Sequence, residues 1–154
     1  MTTKIKSDVN VGELALGVLL MCILALFTAN ILIYEVSVKH NENVCAAILK
    51  AAYEAAKDGK DKNTVLGAVK SEMMRHYFQG LFITAPKVVK FTDETKSDQR
   101  RITVQTSAVA RVPAPGLIIG RDNKAPLTVN CTYVAEVIVD ADTKEGVKDK
   151  SGAK

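Results

Sequence analysis

The residues of this chain that could carry chemistry are three cysteines, two histidines and a scatter of carboxylates, and their spacing argues against most reactions. His40 and His76 fall on different predicted helices with no metal-ligand pattern around either, so they read as solvated or capping residues. Glu54 and Glu72 could be taken for a carboxylate pair, but nothing in the sequence sets them across a pocket. There is no G-x-S-x-G elbow, no H-E-x-x-H, no P-loop and no G-x-G-x-x-G. The expectation is a protein that is not an enzyme, with no cofactor, no metal and no evident small-molecule substrate. The cysteines allow a structural role. Cys22 lies in an apolar run without an evident partner, whereas Cys45 and Cys131 are a candidate disulfide or, equally, two independent buried thiols, because sequence does not say whether their Cα atoms come within about 6 Å.

The element that must position these residues is the stretch Leu14 to Tyr34, which holds 21 residues and not one charge. At 1.5 Å per residue it reaches roughly 30 Å, the thickness of a bilayer's hydrocarbon core. Helices inside soluble domains rarely stay apolar on every face for so long, so it reads as one membrane-spanning helix. It is longer than a secretory h-region, and Phe27 and Tyr34 stand where a cleavage site wants small residues, so the anchor is expected to be retained. Lys4 and Lys6 precede it, while beyond it Glu35 and Glu42 balance Lys39 and Lys50; this bias favours a cytoplasmic N-terminus. Within the span Asn30 and the Ala25-x-x-x-Ala29 pair are candidates for helix association. Glu13, at the edge of the apolar run, is either a plain interfacial residue or an assembly residue.

With 154 residues in all, the remainder suffices for one small domain. The 47% hydrophobic content is inflated by the anchor, and with no Trp the core must be built from Val, Ile, Leu and Ala. The net charge of +4 comes from 21 basic and 17 acidic residues, interspersed and without aromatic interleaving, which excludes a nucleic-acid binder.

Helical spacing continues past the span through Val36, His40, Val44, Ile48, Ala52 and Ala56, and should stop at Lys57-Asp58-Gly59-Lys60. A second helix is expected from an Asn63 N-cap to about Gln79-Gly80, with Val65, Leu66, Val69, Met73 and Tyr77 on one face. After Pro86 the period changes to two: a short strand over 87–92, a polar turn DETKSDQ, a longer strand through Ile102, Val104, Thr106, Ala108, Ala110 and Val112, and a last strand with Leu127, Val129, Cys131, Tyr133, Ala135, Val137 and Val139 on one face. Between them PAPGLIIGRDNKAP can continue neither ladder. Its Leu117, Ile118 and Ile119 either tuck back onto the sheet or form a contact loop for a partner or the membrane. The expected fold class is α+β, divided into an N-terminal segment (1–10), a transmembrane helix (11–35), an extracytoplasmic domain (36–140) with a small antiparallel sheet of about three strands, and a disordered tail (141–154).

Glu13-Leu14-Ala15-Leu16 at the head of a single N-terminal span resembles the Glu-Phe-Ala-Leu signature of the TadE-like pseudopilins of tight-adherence pilus systems. The layout is similar too, with an alanine-rich continuation (Ala46, Ala47, Ala51, Ala52, Ala55, Ala56) and strands broken by a proline-containing segment. The resemblance implies a minor pilin-like subunit of a bacterial inner or cell membrane, with membrane lipid and other pilin-like or pilus assembly proteins as partners. Such prepilins are usually cleaved after a glycine that makes the glutamate the fifth mature residue. Here Asp8 holds that place and Gly12 directly precedes Glu13, so the mature protein is expected to keep the residues before Val9. The alternative is a membrane-tethered binding or accessory module outside any pilus.

Overall fold

The computed structural model describes residues 10–96, 99–118 and 126–138; the readings made above for Asp8, Ile119, Val139 and the tail lie outside them. Helix α1 runs through Val11–Lys57, 47 residues or roughly 70 Å. Asn10 starts it, its side chain accepting the Gly12 N–H at 3.1 Å. It ends where the spacing predicted. Gly59 at φ 70° takes the left-handed conformation that suits glycine, and Gly59 and Lys60 donate their N–H groups back to Ala56 and Ala55 carbonyls at 3.1 and 3.2 Å, a Schellman closure.

α2 spans Lys62–Arg75, and here two expectations are corrected. Its N-cap is Asp61, not Asn63: the Asp61 carboxylate accepts the Asn63 N–H at 3.2 Å and also the Thr64 hydroxyl, which holds its carboxyl below the usual carboxylate range. Its end comes early, at His76, whose backbone N–H closes on Glu72 O while its ring meets the Glu72 carboxylate at 3.1 Å. Tyr77 therefore leaves the helix and stands exposed.

Strands β1 (Lys87–Lys96), β2 (Gln99–Ala110) and β3 (Leu127–Ile138) form an antiparallel sheet in sequence order. Most of the stretch read as a polar turn is strand: Asp93, Glu94 and Thr95 pair with Ile102, Arg101 and Arg100, and the ladder reaches Lys96 opposite Gln99. Pairing is a backbone matter, and an edge strand tolerates charged side chains. A register shift between Val88 and Lys90 interrupts the same edge. In β2 the alternation is as read from Ile102 to Ala110, with Ile102, Val104, Thr106, Ala108 and Ala110 all buried, but the strand ends at Ala110 and Val112 lies beyond it. In β3, Leu127, Val129 and Val137 are buried, whereas Tyr133 of the same face is 39% exposed near the sheet's edge.

The architecture is α+β in two layers. The second half of α1 and α2 cover one face of the sheet, and the core joins Val44, Cys45, Ile48 and Ala52 of α1 to Val65 and Val69 of α2 and to Ile102 and Val104 of β2. The first half of α1 carries none of this core. From Val11 to Thr28 every residue is exposed, and the helix is long and apolar enough to cross a membrane.

Candidate functional site

A stripe on α1, Asn30, Ser37, Asn41 and Cys45, faces the sheet and the loop beyond it, and all four side chains are buried. Their spacing of seven, four and four residues keeps them on one face of a helix. Ser37 returns its hydroxyl to Ile33 O at 2.7 Å. Asn41 donates through Nδ2 to Val129 O at 3.1 Å and to Thr106 O at 3.5 Å, bridging β2 and β3 where they pass under α1. Its Oδ1 and the Thr106 hydroxyl are buried without a hydrogen bond, a local cost to the fold.

Asn30, read above as a candidate for association between helices, is engaged inside the chain. Its Nδ2 donates to Ala114 O at 2.6 Å, and its Oδ1 accepts the Ala114 N–H at 3.2 Å. At 2% exposure, it thus uses one of its two amide hydrogens and its oxygen within the chain. This two-point clasp fixes the proline segment against α1. Leu117 ends a short 3₁₀ turn, Pro115–Leu117, and both it and Ile118 are half-buried. Ile118 faces α1 and the start of β3, lining an apolar recess of about 520 Å³ with Phe27, Ile31, Tyr34 and Leu127. Leu117 and Ile118 are thus partly covered, Ile118 against α1 and the start of β3.

Cys45 and Cys131 are brought together. The Cys45 sulfur lies 3.6 Å from Val104 O and 3.8 Å from Cys131 O. Both are free in this structure, as is Cys22, which is exposed on the first half of α1. Burial, together with the neighbouring Cys45, pushes the Cys131 thiol from 9.0 up to about 12, so it stays protonated at neutral pH.

Glu13 is exposed in the first turn of α1, where a carboxylate favours the positive end of the helix dipole. His40 is half-buried with its ring edge-on to Phe78 at 5.9 Å, and its Nε2 is buried without a partner. Glu54 pairs with Lys50 at 4.0 Å, and Glu72 is engaged by Arg75 and His76, so each is used within its own helix. Among the described residues no three His, Cys, Asp or Glu side chains gather in a way that would hold a metal ion.

No protein-family model, curated protein or solved structure matches this chain.

One cluster escaped sequence reasoning. Arg100 at the start of β2 donates through Nε and Nη2 to both oxygens of Asp93 at 2.7 and 2.6 Å, and through Nη1 to Lys60 O at 2.7 Å. The side chains are 11% and 2% exposed. The bidentate pair raises the affinity of the guanidinium for its proton and ties the hairpin tip to the α1–α2 turn. The only hint was opposite charge across DETKSDQR, which polarity alone assigns to a solvated turn.

Proposed function

We propose that this chain is a non-enzymatic, single-pass membrane-anchored subunit of the minor pilin-like kind, serving the assembly of a pilus or secretion system. Its first helical half lies in a bacterial inner or cell membrane, its N-terminus is cytoplasmic and its small α+β domain is outside. The observation that carries this reading is the continuity of α1: one helix is apolar and exposed along its first half and is the spine of the domain along its second. A rod of this kind converts packing between spans into a defined placement of domains. A flexible tether would not need Asn30, Asn41 and Cys45 to key the helix to the sheet and the loop beyond it.

Glu13 is the residue on which the assembly role depends. At the interface a carboxylate costs far less than the roughly 2.5 to 3.5 kcal/mol it costs at the centre of a span, so removing it should leave insertion unchanged. The test compares Glu13→Gln and Glu13→Ala with wild type, in the native membrane, for protein level and co-purified partners. Equal membrane levels with loss of pilus ATPase, platform or secretin components support the proposal. If both variants insert and retain every partner, Glu13 is only the first-turn acid of α1. Unrelated partners throughout would favour a membrane-tethered binding module.

A further inference from the structure

The segment that follows α2 exposes four large apolar side chains within six residues: Tyr77 at 63%, Phe78 at 58%, Leu81 at 79% and Phe82 at 46%. Solvent is a poor place for such a strip, and α1 gives its position. Phe78 meets His40 edge-on, and Phe82 sits in a hollow with Leu32, Ile33 and Val36. The backbone holds the segment there, since Arg111 donates its N–H to Phe82 O at 2.6 Å and Ile83 bridges to Ala110. The strip thus runs down the flank of α1 to the place where the helix leaves the domain.

Its height matters. With the uncharged run Leu14 to Tyr34 filling the hydrocarbon core, Leu32 and Val36 flank its outer edge, each within about 3 Å of the boundary with the headgroup layer, and His40 stands about 9 Å beyond that edge. That layer is where aromatic side chains concentrate in membrane proteins. The exposed Arg111 beside Phe82 adds a cation at the level of the lipid phosphates. A second protein copy fits less well, because four side chains of this exposure fall well short of the roughly 800 Å² per partner of a stable interface.

We infer that Tyr77, Phe78, Leu81 and Phe82 form a second membrane contact, an aromatic foot that enters the headgroup region of the leaflet through which α1 emerges. The domain is thereby seated on the bilayer at a fixed tilt. The inference rests on the membrane-anchor part of the proposed function and is independent of any pilus.

The natural chain has no tryptophan, so one introduced Trp reports its own position. Full-length Leu81→Trp is reconstituted in phosphatidylcholine–phosphatidylglycerol vesicles containing lipids brominated either high or low on the acyl chain. Leu20→Trp reports the span and Thr95→Trp the far end of the sheet. The expected result is blue-shifted Leu81→Trp emission, quenched more by high than by low bromines, with Leu20→Trp quenched more by low bromines and Thr95→Trp by neither. Tyr77→Trp repeats the reading should residue 81 tolerate the change poorly. Quenching at residue 20 but at neither 77 nor 81 overturns the foot and leaves the anchor standing. A blue shift at residue 81 without bromine quenching means protein, not lipid, covers the strip, and also overturns it. Absence of quenching at residue 20 overturns the anchor and the foot together.

Discussion

Arg100 shows how much one buried residue can carry. A buried ion pair adds little net stability over an apolar pair, yet removing one partner leaves an uncompensated charge, at a cost of about 3 to 5 kcal/mol. Arg100→Ala strands Asp93, 2% exposed, and should lower the denaturation midpoint accordingly, whereas Arg101→Ala, whose exposed partner Glu136 is 3.9 Å away, should change it little. Equal midpoints for the two variants would contradict this. The thiols give a second residue-scale prediction. In the reduced chain the Cys131 pKa is raised on folding, so this contribution to stability is full below 9.0 and is lost as pH rises towards about 12. At pH 8 alkylation of native Cys131 should be at least roughly tenfold slower than in denaturant. In an oxidising compartment the pair is expected to close by exchange with an oxidising disulfide, which takes up both electrons and both protons as two thiols. A loop of this size contributes about 4 to 5 kcal/mol in the chain-entropy model. Alkylation in denaturant without reductant then labels Cys22 alone; labelling of all three cysteines rules the bridge out.

At the scale of elements, α1 is held to the domain near the membrane by polar clasps and further out by apolar packing. Asn30 and Asn41 bond backbone groups of Ala114, Thr106 and Val129, while further along Ile48 and Ala52 share the core with Ile102 and Val104. The Asn30 clasp should therefore be separable. Asn30→Ala leaves the Ala114 N–H and C=O without their partner, so hydrogen exchange at Ala114 and Leu117 should accelerate while the β2–β3 ladder keeps its protection. Global loss of protection would mean that Asn30 supports the whole domain.

For the whole molecule the prediction is topological. If the domain lies outside, protease added to intact spheroplasts removes the material beyond Tyr34, and intact mass shows that the residues before Val9 are retained. Digestion only after lysis would reverse the orientation, and a mature terminus at Val9 or Glu13 would overturn the reading of Asp8.

The sequence by itself determined what depends on neighbours along the chain. The apolar run, the Gly59 stop, and the alternation of Ile102 through Ala110 and of Leu127, Val129 and Val137 are local periodicities, and burial follows them. Tertiary structure decided whatever depends on which distant residue arrives opposite. Asn30 carries no local signal for Ala114, which folding brings beside it; Asn41 broke an apolar stripe without revealing Thr106 and Val129 as its acceptors. Asp93 and Glu94 looked like turn residues because charge is the local signal, yet strand pairing satisfies backbone groups irrespective of the side chains they carry. Cys45 and Cys131 met because helix and sheet registers coincide, and the exposed strip from Tyr77 to Phe82 acquired a meaning only when folding laid it beside the exit of α1.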